Sequence, residues 1–291
     1  MRSSLVSTPV SHPRVWAAIE AAAVDSLADV LRLLDARTGS RAEVGPARPG
    51  VLRVCAHAPR ATGGSDITAL RTLLTADLLS RTAELSGLQV LTALDLTSSP
   101  PAQAAAIDDE AGALGIHPPA AHASCHDAPS SLGGPVDVHL VSQDDHLDPG
   151  QDGLFVMVGA ARLDRADSDP GTGGGLLTGH RDNPLAVRLA LMSFPGDQPA
   201  ALTDDELARA DETLTDWRQR VARWAESPSR PVPTAIAEAA GAAFSDLDTV
   251  SVLTMLRGLL ADGSVPAGAK FETFVYADRI LGLDLARNIG R

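Results

Sequence analysis

The chain has almost no lysine. Lys270 is the single one among 24 basic residues, which face 37 acidic residues for a net charge of −13. That balance argues against a phosphate-rich partner, because non-specific nucleic-acid binding needs clustered basic side chains. No apolar run approaches the roughly 20 residues that a membrane-spanning helix requires, so no membrane span is expected. The opening stretch MRSSLVSTPVSHPRVW lacks the apolar core of a secretory signal. Cysteine is scarce: Cys55 and Cys125 lie far apart and make no disulfide framework, so the expected compartment is a reducing cytoplasm. The run Gly171–Gly175 is not a phosphate-binding loop, because no Lys-Ser/Thr follows it. Internal repeats are absent.

What is present is a soluble α/β pattern. At 291 residues, with 44% hydrophobic content, the chain can bury one large core or two modest ones. The stretch from Val51 to Ser99 organises the rest. Val51, Leu52, Val54 and Cys55 suit a buried strand. Pro59, Gly63 and Gly64 break the chain, and Ser65 or Asp66 can cap a helix with a short side-chain oxygen. From Ile67, Leu70, Leu73, Leu74, Ala76, Leu78 and Leu79 recur at helical spacing; Gly87 ends that helix, and Leu88 to Leu96 reads as a second strand. Strand, turn, helix and strand of this length make a crossover in a parallel sheet. Ligands of such sheets bind beyond the carboxyl ends of the strands, here Cys55–Ser65 and Asp95–Ser98.

Around this unit the other segments fall into place. Residues 1–14 carry no pattern, and Val15–Leu34 is an amphipathic helical stretch. Residues 1–30 are thus an extension with a helix, 31–198 a Rossmann-like core, and 199–291 a helical bundle. A helix is expected over Ala102–Leu114 and a buried strand over Leu154–Val158. Residues 159–175, acidic, glycine-rich and free of lysine, read as a solvated loop. Asn183–Phe194 is helical, with Pro184 in its first turn. Thr203 and Glu206 form a capping box, after which Leu207, Leu214, Trp217, Val221 and Trp224 share one face. Helical patterns over Pro231–Phe244, Asp248–Ala261 and Phe271–Leu285 complete an antiparallel bundle.

Several of these segments resemble the class I cysteinyl-tRNA synthetases and their relative, the cysteine ligase of mycothiol biosynthesis. Cys55 falls on a zinc-binding cysteine of that family. Asp66, Ile67, Thr68 and Ala69 fall on the four HIGH signature positions, of which only Ile67 is kept. Asp95-Leu96-Thr97-Ser98 falls on an N-x-T-D segment and keeps the threonine. Leu33–Gly39 matches the family lead-in, and His122–Cys125 matches Trp-His-x-x-Cys with most of the connective insertion missing. In Leu132–Asp145, Asp137, His139 and Asp144 match, while Leu140, Val141 and Ser142 replace glycines. The stretch from Ala243 to Thr249 matches a helix behind the catalytic core. Together the matches cover most of residues 31–291.

The resemblance implies a fold, a class I catalytic sheet followed by a helical bundle, and an activity, ATP-dependent cysteine activation. It implies nucleotide contacts at Asp66, Thr68, Ala69, Asp137 and His139, and substrate contacts at Cys55, Asp95 and Thr97. The Asp137/His139 pair also reads as a plain polar strand terminus. The family's zinc is held by two Cys, a His and a Glu. Here Cys55 and Cys125 match, but the other two positions fall near Pro149 and Gly153, which cannot ligate. His122, His126, His139 and His146 are the candidate replacements, and little bound zinc is expected. ATP is the implied cofactor, yet Asp66 would repel its phosphates and the KMSKS position holds a lysine-free loop. A backbone anion site over Gly63–Thr68, or Arg71, Arg162 and Arg165, could stand in. The expectation is therefore a catalytically degenerate ligase. The alternative is a non-catalytic relative that binds a cysteine- or nucleotide-like small molecule or a partner protein. Charging of tRNA is not expected, since the chain stops short of an anticodon-reading end.

Overall fold

The computed structural model describes residues 31–58, 67–97, 99–142, 152–164 and 182–291. The helix expected over 15–30, the caps Ser65 and Asp66, and the glycine-rich stretch 165–175 lie outside the described residues. The described part opens with an antiparallel hairpin, Arg32–Asp35 (β1) and Ser40–Glu43 (β2), which turns through Gly39 at φ 67°. The helix expected to run on to Leu34 is thus a strand at its carboxyl end. Leu33 and Asp35 turn inward and Arg32 and Leu34 outward, the two-residue period of a strand.

Val51–His57 (β3), Ile67–Leu85 (α1) and Gln89–Asp95 (β4) form the expected parallel unit, with Val51 opposite Gln89 and His57 opposite Asp95. Gly87, at φ 81°, supplies the left-handed residue that turns the chain from α1 into β4. Pro101–Ala113 (α2), Ala121–His122 (β5), Ala128–Ser131 (α3), Val138–Ser142 (β6) and Leu154–Val158 (β7) follow. The sheet order is β5-β4-β3-β6-β7, and every pairing in it is parallel. Strand β3 sits in the middle and is covered on both faces. Leu52, Val54 and Ala56 join the main core with Leu70 and Leu74 of α1, while Cys55 faces a smaller cluster of Ala93, Cys125, Ala128, Leu132 and Val136.

Ala161–Asp164 (β8) pairs in parallel with Ala200–Thr203 (β9). The solvated loop expected from residue 159 therefore begins as a strand. Two side chains of α1 hold it. Thr68 Oγ1 accepts from the Ala161 amide at 3.0 Å and donates to the Ala161 carbonyl at 3.1 Å. Arg71 donates to the carbonyls of Gly159 at 2.9 Å and of Gln198 and Pro195 at 2.5 Å. Pro184–Met192 (α4) starts with its proline in the first turn. Thr203 caps Asp204–Trp224 (α5): its Oγ1 accepts from the Glu206 amide at 3.2 Å, and Glu206 Oε2 accepts from the Thr203 amide at 2.8 Å. Thr234–Ser245 (α6), Thr249–Ala261 (α7) and Ala267–Leu281 (α8) complete the chain. The architecture is thus an α/β, Rossmann-like parallel sheet followed by helices, and Trp217 of α5 lies edge-on to Phe274 of α8 at 5.3 Å. No helix among the described residues is long and apolar enough to cross a membrane.

Backbone contact limits the start of α8. A Cβ on Gly268 would lie 1.9 Å from the Pro228 carbonyl oxygen, whereas one on Gly258 in α7 would meet nothing within 4 Å. Gly268→Ala is expected to cost about 1–3 kcal/mol through forced backbone displacement. Gly258→Ala is expected to gain about 0.5–1 kcal/mol by restricting the unfolded chain. Urea unfolding of the two variants checks the opposite signs.

Candidate functional site

The period of β3 puts Arg53, Cys55 and His57 on one face, pointing away from α1. Parallel register then sets Cys55 beside Ala93 of β4 and His139 of β6, and His57 beside Asp95. Cys125 arrives from the segment after β5 and is joined to Cys55 in a disulfide across a sequence separation of 70 residues. Their spacing in the chain gave no reason to pair them as a framework, but the family match, which sets both on one zinc site, implied that the two sulfurs lie close. Asp95 fixes the arrival, since its Oδ2 accepts from the Cys125 amide at 2.9 Å. Arg53 holds the next turn by donating to the carbonyls of Leu132 at 2.9 Å and Gly133 at 3.2 Å.

His139 is buried, and Phe155 stacks on its ring at 4.7 Å. Its Nε2 lies 3.2 Å from the Asp152 carbonyl, which can only accept, so that nitrogen carries the proton. Its Nδ1 is then a lone pair 3.1 Å from His57 Nε2, which donates to it. Burial first, then His57, and to a lesser degree Arg37 push the His139 pKa down to about 4. The imidazole is neutral at ordinary pH. Cys55, His57, Cys125 and His139 together place one ligand atom each within 4.8 Å of one another. Two thiols and two imidazoles are a zinc donor set. The residues fit the metal that the resemblance implies, provided that the sulfurs are reduced.

The other expected site residues are occupied within the protein. Asp137 spends both oxygens on backbone amides, Ala47 at 2.6 Å and Arg53 at 2.8 Å. Asp95 accepts from Thr97 Oγ1 at 2.6 Å in addition to Cys125. Thr68 is committed to Ala161, as above, and Ala69 is buried in the core without a polar side chain. Asp66 and the candidate ligand His146 lie outside the described residues. Arg71 is buried and crosslinks backbone rather than facing a ligand; burial lowers its pKa to about 10, against the opposing pull of Asp197. Arg162 pairs with Asp164 at 3.0 Å on an exposed strand. His122 pairs with Asp108 at 3.3 Å, and His126 is exposed. His57 is the residue that the motif reading passed over. Its signal was local: it stands two residues after Cys55, on the same strand face and at the strand's carboxyl end.

A cavity of about 400 Å³ opens beside this cluster, lined by Pro129, Ser130, Gly134, Pro135, His139 and Asp152 among others. A second, of about 640 Å³, runs between the β1–β2 hairpin, α1 and the start of α7, and Leu33, Leu74, Met157, Phe194 and Leu247 are in its wall.

No protein-family model matches the chain, and no curated protein matches it. Among solved structures it is similar to a protein assigned as an arginyl-tRNA synthetase from Campylobacter jejuni, with a TM-score of 0.53 and 10% identity over 94% of this chain and 98% of that one. Thermus thermophilus arginyl-tRNA synthetase matches at a TM-score of 0.44 and 9% identity, over 92% of this chain and 84% of that one. At such identity the first likeness shows a fold, that of the class I aminoacyl-tRNA synthetases. The likeness shows the fold alone and carries no cysteinyl specificity.

Proposed function

We propose that the protein is a cysteinyl-type relative of the class I synthetases that binds a small amino-acid- or nucleotide-like ligand beside His139 and does not form an adenylate. One observation carries the reading: Asp95, Asp137 and Thr68, which would serve substrate or nucleotide, are spent on the protein's own backbone and loops, while the cavity beside His139 stays open. That cavity lies within the ~300–1,000 Å³ span of small-molecule sites. Adenylate formation concentrates charge on the α-phosphate and pyrophosphate, and preorganised donors must meet it. Removing a single such donor from a charge-stabilising site costs on the order of 100-fold in rate. Here the signature histidines are replaced at Asp66 and Ala69, and the signature lysines are missing. The acidic net charge of −13 argues against tRNA as a partner. A protein partner on the class I scaffold is the other occupant this reading admits, and the cytoplasm is the compartment proposed.

The test is cysteine-dependent exchange of labelled pyrophosphate into ATP, run beside a thermal-shift screen with ATP, cysteine and cysteinyl-sulfamoyl adenosine. The expected result is no exchange above blank, and a melting-temperature rise with one of the ligands that is lost in Ser130→Trp, where the cavity is filled. Exchange that disappears in Arg162→Ala/Arg165→Ala would overturn the proposal and assign the lysine role to arginines.

A further inference from the structure

We infer that Cys55, His57, Cys125 and His139 form a closed four-ligand site for a borderline-soft divalent cation once the Cys55–Cys125 bond is reduced, so that disulfide and metal are alternative fillings of one place. This stands apart from the reading of the ligand cavity. It differs from the set that the resemblance implies, two Cys, a His and a Glu, because a second imidazole stands where that set has a carboxylate. Two thiolates and two imidazoles make the donor set of closed structural sites.

The geometry is close to what a tetrahedral centre needs. With metal–nitrogen bonds of about 2.0–2.1 Å and metal–sulfur bonds of about 2.3 Å, neighbouring donors stand roughly 3.3–3.8 Å apart. His57 Nε2 and His139 Nδ1 are already 3.1 Å apart, and all four donor atoms lie within 4.8 Å. The sulfurs have to separate, and donors that stand at the outer distance have to draw in by about 1 Å. His139 is already oriented as a ligand. Its Nε2–H is held by the Asp152 carbonyl, which keeps the Nδ1 lone pair turned to the cluster, as outer hydrogen bonds do for metal-bound imidazoles. His57 binds through Nε2 by moving its proton to Nδ1, with no change of charge. The shell is apolar, built of Ala93, Ala128, Leu132, Val136 and Phe155. A divalent cation with two thiolates and two neutral imidazoles carries no net charge, so this centre suits such a shell where a bare ion would not.

The interconversion balances. A dithiol reductant gives up two electrons and two protons to the Cys55–Cys125 bond, and leaves as its own disulfide. The two thiols then lose two protons to solvent as both sulfurs bind the cation. Oxidation by a small disulfide reverses both steps and expels the metal. In a compartment that keeps thiols reduced, the metal form is the one favoured.

The experiment uses the full chain and cobalt(II) as the probe. Protein reduced with a phosphine and desalted under argon should take up one cobalt per chain and show the intense visible bands of a tetrahedral thiolate complex. The disulfide form should take up none and show no titratable thiol. Excess cysteine should leave the cobalt spectrum unchanged. His57→Ala should weaken binding by more than about 100-fold, the upper end of what losing even an outer-shell partner costs. A spectrum that shifts with cysteine would overturn the closure, since it reports an open position. Reduced wild-type protein that keeps its far-ultraviolet circular dichroism but binds no cobalt would overturn the site itself. Neither result depends on whether the cavity binds a ligand, so the two readings fail separately.

Discussion

Arg188→Ala is expected to lower the folding free energy by about 3–5 kcal/mol, the cost of removing one partner from a buried ion pair. The guanidinium is fully buried, and it joins three parts of the chain. It donates to Asp77 of α1 at 2.6 Å, to the Leu114 carbonyl after α2 at 3.2 Å, and to the Leu281 carbonyl at the end of α8 at 2.6 Å. Asp77 also accepts from Arg81 at 2.8 Å and from the His117 amide at 3.1 Å. Burial opposes its charge, but Arg188 and Arg81 outweigh that and hold the carboxyl below its usual pKa. The site is crowded as well: a Cβ on Gly282 would come within 2.9 Å of Arg188 Nη2. Loss of the guanidinium leaves two helix-end carbonyls unpaired in addition to the charge. A double change, Asp77→Leu with Arg188→Met, should recover much of the stability, because a buried pair replaced by apolar groups is often close to neutral. Urea unfolding of the single and double variants decides it. A loss below about 1 kcal/mol in Arg188→Ala would show that the pair does not tie α4 to α1 and the end of α8.

The second large effect is acid instability set by His139 in the disulfide-bonded, metal-free protein. Its folded pKa is pushed down to about 4 from an ordinary value of 6.5. The folded state therefore binds fewer protons than the unfolded chain between these values. The contribution of His139 to stability is complete above pH 6.5 and is lost as pH drops through about 4. At 1.36 kcal/mol per pKa unit, the shift corresponds to about 3 kcal/mol. The charged and titrating neighbours are His57 on β3 and Arg37 in the hairpin turn, both of which disfavour a proton on His139. His139→Gln, which keeps an acceptor and a donor but does not titrate, should flatten that part of the pH profile. An equal fall in variant and wild type would assign the acid loss to other groups.

Much of this fold could be read from the residues. The apolar runs of β3 and β4 and the helical spacing of Leu70, Leu74 and Leu78 were enough for the central parallel unit, because each segment is long and buried on a single pattern. The Thr203–Glu206 box marked the start of α5 within a residue. Short strands were harder. Leu31–Leu34 shares its leucines with the helical pattern before it, and β8 exists because Thr68 and Arg71 hold it from α1. The site was legible in its residue types and not in their partners. Nothing in the sequence distinguishes a carboxylate that faces a ligand from one, like Asp137, that two backbone amides have already claimed. That Cys55 and Cys125 meet was implied by the family match, which puts both on one zinc site; that they are joined as a disulfide was not.

The hairpin at the start of the described chain has a consequence for self-association. A parallel sheet ends in two rows of unpaired amides and carbonyls, ready templates for a strand from another molecule. On one side the end strand, β5, is only two residues long and offers little to copy. On the other, β7 is five residues of Leu, Phe, Val, Met and Val, the composition most prone to recruit a foreign strand. The hairpin turn lies against that border: the Ala36 amide donates to the Phe155 carbonyl at 2.7 Å, and Asp35 Oδ1 accepts from the Phe155 amide at 3.4 Å. Arg37 closes over the Phe155 ring at 4.4 Å. The β1–β2 unit thus occupies, from within the same chain, amide and carbonyl groups of β7 with which a foreign strand would otherwise pair.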